Sequence, residues 1–272
     1  MSKKRKIMIA CVILLFIVFI AVIFYVINEL RTENDIKITG VETSDSQTFK
    51  SEYESLNNQS DGNGNIYRSV SISDNNRVKY VTANDIVNKI NDNNTFVVLF
   101  GSSKSHYSRA TIESMLSVIN EYGINELLYV DIQNICDQYE LNDEHEPVKT
   151  IEGTEGYYNL LDKLNYILDD YEPLTYTTTS HKKEKVVEVK VDEKRIYPST
   201  LIVVKDGKAV SLTTCLNDEL KKDPTIDLTD DIKEYQINQL KSALEVVRVT
   251  TTTTESTSTT SSSYVCESDS SC

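Results

Sequence analysis

From Ile7 to Ile27 the chain runs apolar without a charge, and about 20 such residues in a helix cross a hydrocarbon core of roughly 30 Å. This pattern predicts a transmembrane helix over 7–27. A cleavable signal peptide has a shorter apolar region that ends in a small-x-small site, whereas this run ends Phe24-Tyr25-Val26-Ile27-Asn28-Glu29. Tyr25 suits the headgroup level. Beyond the run, residues 28–76 show neither a helical nor a strand period and are rich in Asn, Ser, Asp and Glu, the pattern of a flexible polar stalk. Residues 250–272 are mostly Ser and Thr, with two cysteines and a few acids, too polar to order themselves, and predict a disordered tail.

Between stalk and tail, residues 77–249 carry regular periods. Val78–Val81 reads as a short strand, and Thr82-Ala83-Asn84-Asp85 as the capping start of a helix that buries Ile86, Val87 and Ile90. Thr95–Phe100 is a continuous apolar run between turn residues, the mark of a central strand buried on both faces. After Gly101 and a Ser-rich loop, Ile112, Met115, Leu116 and Ile119 repeat at helical spacing. Leu127–Ile132 is the next strand. A third helix is predicted over about 154–170, with Tyr157, Leu160, Leu161, Leu164, Ile167 and Leu168 inward. Apolar runs at 200–204 and 209–213 flank Lys205-Asp206-Gly207-Lys208, a strong hairpin signal. Thr229-Asp230-Asp231 caps a last helix, with Ile232, Tyr235, Leu240, Leu244 and Val247 facing in. The expected fold is α/β: β-α-β-α-β with parallel strands, then a helix, a β-hairpin as antiparallel edge, and a final helix.

Charge adds orientation. Lys3, Lys4, Arg5 and Lys6 form a basic start (1–6) before the apolar run, and Arg31 is the one cation just after it. That asymmetry predicts a single-pass protein of the cell membrane, N-terminus cytoplasmic and C-terminal domain extracytoplasmic. The net charge of −14 repels phosphate backbones, so nucleic acid is not an expected partner. The five cysteines (11, 136, 215, 266 and 272) include no C-x-x-C and no zinc spacing, so neither a metal nor a cofactor is expected. Cys11 lacks the preceding apolar region of a lipoprotein box. Cys266 and Cys272 lie close in the tail and could bridge each other or a neighbouring chain.

Three segments carry a resemblance. Phe96–Ala110 (FVVLFGSSKSHYSRA), Ile196-Tyr197-Pro198-Ser199-Thr200 and Val203–Lys208 follow one another in the order of the thioredoxin fold. They match its strand and active-site loop, its cis-proline segment and its closing hairpin. The chain resembles the membrane-anchored thioredoxin-like proteins of Gram-positive bacteria, including bacteriocin-transport accessory proteins, with an enlarged segment over 140–195. Where that family places Cys-x-x-Cys, this chain has Ser105-His106-Tyr107-Ser108. A serine hydroxyl stays protonated at neutral pH and forms no disulfide, so the thiol–disulfide reaction is expected to be lost. Leu99 likewise stands where many thioredoxins bury an acidic residue.

A Ser105–His106 nucleophile pair is disfavoured, because adjacent residues at a helix start point apart and no third orienting group is visible. Ser105 reads as an N-cap, and His145 and His181 lie in polar stretches without a ligand set. The resemblance implies that the backbone beside Pro198 pairs with an extended peptide, and such a groove needs no cysteine. Ser105, His106, Tyr107, Ser108, Tyr197 and Pro198 are therefore the candidate binding residues for an extracytoplasmic protein or peptide. The expected function is a redox-inactive binding or accessory module in envelope protein folding or secretion. The alternative is a thiol–disulfide oxidoreductase that uses Cys136 or Cys215. Two strands separate those cysteines in the expected sheet, which places them about 14 Å apart at about 4.8 Å per strand, too far for a direct disulfide. A third class is a surface spacer carrying a modified Ser/Thr-rich tail.

Overall fold

The structure, a computed structural model, describes residues 44–180 and 183–247. No helix among these residues is long and apolar enough to cross a membrane. The expected span 7–27, the basic start 1–6, the first part of the stalk, His181 and the tail 250–272 lie outside them.

The centre is a five-stranded mixed sheet, built where the sequence is most continuously apolar. Strand β2 (Phe96–Gly101) lies between β3 (Leu127–Asp131) and β8 (Thr200–Lys205). The outer strands are β1 (Val78–Tyr80) and β9 (Lys208–Thr213), giving the order β1-β3-β2-β8-β9. β1, β3 and β2 run parallel, with Leu99 opposite Tyr129. β8 is antiparallel to β2, with Leu99 opposite Leu201, and β9 is antiparallel to β8.

Alternation along β2 divides the core into two layers. Val97 and Leu99 face one cluster with Phe49 and Tyr53 of α1 (Asp45–Glu54). Ile112, Met115, Val118 and Ile119 of α3 (His106–Glu121) and Leu240 and Leu244 of α6 (Asp230–Leu244) complete that side. Val98 and Phe100 face the other cluster, with Ile86 of α2 (Ala83–Asn91) and Tyr157, Leu160, Leu161 and Leu164 of α4 (Glu155–Leu164). A strand buried on both faces can afford no polar position, which is why β2 reads as an unbroken apolar run.

The caps sit where the sequence places them. The Thr82 side chain accepts from the Asp85 N–H, and Asp85 reaches back to the Thr82 N–H in a capping box. Thr229 caps α6 in the same position, accepting from the Ile232 N–H. In the β8–β9 turn both Asp206 (φ 50°) and Gly207 (φ 72°) are left-handed, the backbone that lets a two-residue turn follow strand twist.

Four expectations need correction. The stalk expected over 28–76 is folded from Ser44 onward. Ser44 and Gln47 form a capping box for α1, and Phe49, Tyr53, Tyr67, Val70 and Ile72 are buried. These apolar residues fall on a helix only at Phe49 and Tyr53. The others are spread along an irregular return path, so the segment shows no period.

The third helix ends at Leu164 instead of about 170. Beyond it the chain forms an isolated antiparallel bridge, Asp170 opposite Lys194: the Tyr171 N–H donates to the Glu193 carbonyl and the Arg195 N–H to the Asp169 carbonyl. The enlarged segment holds two hairpins, β4 (Gln138–Leu141) with β5 (Pro147–Ile151) and β6 (Leu174–Ser180) with β7 (Lys183–Val189). Tyr235, expected inward, is 38% exposed. A short α5 (Asp218–Lys222), capped by Asn217, precedes α6.

The fourth correction concerns Pro198. No peptide bond among the described residues is cis, so the expected cis-proline is trans. The turn is made instead at Ser199, which takes φ 76°. It is fixed there by its N–H on the Phe100 carbonyl at 2.8 Å and its hydroxyl on the Thr214 carbonyl at 3.1 Å.

Candidate functional site: the start of helix α3

The parallel strands β1, β3 and β2 all end on one edge of the sheet, and α3 starts there, directly after β2 and a four-residue loop. Ser105 is the N-cap, extended at φ −86° and ψ 123°, with its hydroxyl accepting from the Ser108 N–H. Ser108 is 3% exposed, and its hydroxyl accepts from the Ser102 N–H at 3.2 Å. Both serines thus spend their oxygens holding the loop onto the helix.

The second half of the predicted site lies against the first. The Thr111 hydroxyl on α3 meets the Ser199 hydroxyl at 2.5 Å, in a buried contact. The turn carrying Tyr197 and Pro198 is therefore tied to the first turns of α3. Tyr197 and Pro198 are each half-buried. The Tyr197 hydroxyl accepts from the Glu172 N–H and lies 3.3 Å from the Asp170 carbonyl, to which it donates. Burial pushes its pKa up to about 12. Tyr107 donates to the Lys221 carbonyl at 3.2 Å. Its pKa is raised first by burial and then by the Glu172 and Asp223 carboxylates.

His106 is paired with a loop that sequence reasoning assigned to the stalk. Its Nε2 lies 3.1 Å from Asp61 Oδ2, and its ring stacks on Tyr67 with centroids 5.0 Å apart. Asp61 is held well below the usual carboxylate range, first by the Asn65 side-chain amide and then by the Asn63 N–H and His106. His106 therefore faces Asp61, and Ser105 is occupied as a cap, so the two do not form a nucleophile–base pair. His145 stacks on Tyr176 of the β6–β7 hairpin at 3.9 Å.

Arg109 was missed by sequence reasoning. It is 1% exposed, and among the described residues no carboxylate forms an ion pair with it. Its donors reach the Arg68 carbonyl (2.6 Å from Nη2), the Tyr53 carbonyl (2.8 Å), the Ser103 carbonyl (3.2 Å) and Asn57 Oδ1 (2.6 Å). Burial lowers its pKa, but an arginine remains charged in proteins. A signal was present: Arg109 precedes Ile112, Leu116 and Ile119 at helical spacing, so it falls on the inward stripe.

Where β1 and β3 end and α2 and α4 begin lies a cavity of about 460 Å³, lined by Tyr80, Thr82, Asn84, Asp85, Asp131 and Thr154 among others. Burial raises the pKa of Asp131, while its hydrogen bond from the Gln133 N–H and the nearby Lys104 pull it down. No group of three or more His, Cys, Asp or Glu among the described residues could hold a metal ion.

Cys136 and Cys215 are both free thiols. Burial pushes Cys136 up to about 11, against a hydrogen bond with Tyr157 and the charge of Arg195. Cys215 is pushed up to about 12 by burial, against its contact with Thr213. A reactive cysteine needs its thiolate favoured, and here both environments disfavour it. The structure thus brings Ser105, His106, Tyr107 and Ser108 together on one turn and joins that turn to Tyr197 and Pro198. The chain matches no protein-family model, no curated protein and no solved structure.

Proposed function

We propose that this chain is a membrane-anchored, extracytoplasmic thioredoxin-like protein without redox activity, which binds extended segments of other proteins during their folding or secretion. The carrying observation is the first turn of α3. Serines stand at both ends of Ser105-His106-Tyr107-Ser108, and that turn is joined through Thr111 and Ser199 to the Tyr197–Pro198 segment. The strand order β1-β3-β2-β8-β9, with its parallel half and antiparallel half, supports the thioredoxin-like assignment. The apolar run 7–27 and the basic residues before it support the anchor and its orientation.

Binding needs a face where an extended backbone can lie, and the half-buried residues Tyr107, Tyr197 and Pro198 offer one. Redox chemistry needs an attacking thiolate and a resolving partner. Two protonated thiols, unpaired and pushed upward by burial, weigh against the oxidoreductase alternative.

Two assays on the full-length chain test the proposal. Reduction of insulin disulfides should be undetectable for the natural chain and should appear in the Ser105→Cys, Ser108→Cys double variant. Turnover by the natural chain that disappears on Cys136→Ser or Cys215→Ser would overturn the reading. Separately, fluorescence anisotropy with a library of labelled unstructured peptides should find binders whose affinity falls about tenfold on Tyr107→Ala, the scale of losing one partly buried aromatic contact. A library without binders, or a variant without effect, would remove the binding face from α3.

A further inference from the structure

The segment between α1 and β1 has two parts of different character. Its base is fixed. Arg109 binds the carbonyls of Tyr53 and Arg68 and the side chain of Asn57. Asn57 in turn donates to the Val70 carbonyl at 2.9 Å and accepts from the Val70 N–H at 3.0 Å. Phe49, Tyr53, Val70 and Ile72 are buried against the sheet.

Its tip is a closed loop over 58–67. The ends meet through the Asn58 N–H on the Tyr67 carbonyl (3.2 Å) and the Tyr67 N–H on the Gln59 carbonyl (2.9 Å), and Ser60 bridges Ile66. Inside it, Asp61 Oδ1 accepts from the N–H groups of Asn63 (2.7 Å) and Asn65 (3.1 Å). At the turn Gly62 and Gly64 take φ 86° and 99°, and a side chain at either would meet nothing within 4 Å. The loop is internally organised, yet its end stands in open space. What holds it to α3 is the Asp61–His106 bond, the stack of Tyr67 on His106 and the Arg109 guanidinium over the Tyr67 ring, 5.5 Å from its centroid.

We propose that residues 58–67 are a lid over the His106 side of the α3 face, hinged on the Arg109-anchored base and latched by Asp61 and Tyr67 on His106. The inference deepens the peptide-binding reading and rests on it: a partner reaching His106 and Ser105 must displace the lid. The Asp61–His106 contact and two ring contacts of Tyr67, on His106 and Arg109, set against a base fixed by buried hydrogen bonds, give two units of unequal stability. The weaker opens without the stronger, as ligand-gating loops do.

The test begins with hydrogen exchange on the full-length chain, read by mass spectrometry. His106→Ala removes the latch without touching the bonds inside the loop. Exchange across 58–67 should then rise about tenfold, while 45–57 and the body of α3 stay unchanged. Loop and base exchanging together, in either protein, would show a permanently packed segment and overturn the lid.

The second arm reads access. In a chain with Cys11, Cys266 and Cys272 replaced by serine, Ser105→Cys is titrated with dithionitrobenzoate, with and without Asp61→Ala. The lid predicts modification about tenfold faster in the Asp61→Ala chain, and an equal rate overturns it. If both arms behave as stated while the peptide library yields no binder, the lid stands and the peptide-binding reading falls. If peptides bind equally well with and without the latch, the face is a binding site that this loop does not guard.

Discussion

At the scale of single residues, the stability of this domain turns on charges placed where burial is expensive. Arg109 is a buried cation balanced by carbonyl and amide oxygens from three separate stretches of chain. Arg109→Met keeps most of the apolar stem and strips those oxygens of their donor. Denaturant unfolding should show a loss of about 3 kcal/mol at an unchanged slope, the scale of hydrogen bonds to a charged group left unmade. Arg109→Lys should recover little of it, because one ammonium cannot reach four acceptors held in a planar fork.

Asp131 presents the opposite case. Burial raises its pKa, so the folded state holds the proton more tightly than the unfolded chain. Its contribution therefore favours folding at low pH and is lost as pH rises from the unfolded value through the folded one. Asp131→Asn, which still accepts from the Gln133 N–H, should raise the denaturation midpoint at pH 7. That gain should shrink toward pH 3, where the carboxyl is protonated in both states. A gain independent of pH would assign the effect to packing.

At the scale of elements, what could be read in the sequence followed from how local its cause was. The β8–β9 turn was legible because Asp206-Gly207 carries its own geometry. Gly207 is also pressed from outside: a Cβ there would come within 2.5 Å of the Ile90 carbonyl oxygen. Gly207→Ala should therefore cost more than the roughly 1 kcal/mol of a left-handed alanine alone, measured as a fall in melting temperature. β2, α2, α3 and α6 were legible for the same reason, since period and cap lie within each segment.

The members of the candidate face, Ser105 to Ser108 with Tyr197 and Pro198, were named from the resemblance of their segments to a thioredoxin-like protein. The surroundings of that face were not legible. Asp61, Tyr67 and Arg109 meet His106 and the segment before β1 across separations of roughly 40 to 56 residues, and no window of sequence holds both partners. The turn after Tyr197 failed differently. A proline in that place suggested a cis bond, whereas Ser199 supplies the reversal with a left-handed backbone anchored by two hydrogen bonds.

At the scale of the whole molecule, the segment from Ser44 to Asn76 decides where the domain begins. Residues 77–249 look self-sufficient in sequence, with strands, helices and caps in order. In the fold, Phe49 and Tyr53 pack with Val97, Leu99 and Tyr129 on one face of the sheet. The Phe49 ring lies 4.9 Å from that of Tyr129, edge-on. Without that cover, one layer of the core would open to water and Arg109 would lose the partners it draws from Tyr53, Asn57 and Arg68.

Removal of two buried aromatic side chains alone is worth about 3 kcal/mol or more apiece, a large part of the stability of a typical domain. A chain starting at Arg77 should therefore express as an aggregating or molten species, with weak near-ultraviolet dichroism and dye binding to exposed apolar surface. A chain starting at Ser44 should unfold in one cooperative transition. If the Arg77 chain folded cooperatively at the same midpoint, the packing of α1 would be dispensable, and residues 44–76 would be an appendage as a polar stalk implies.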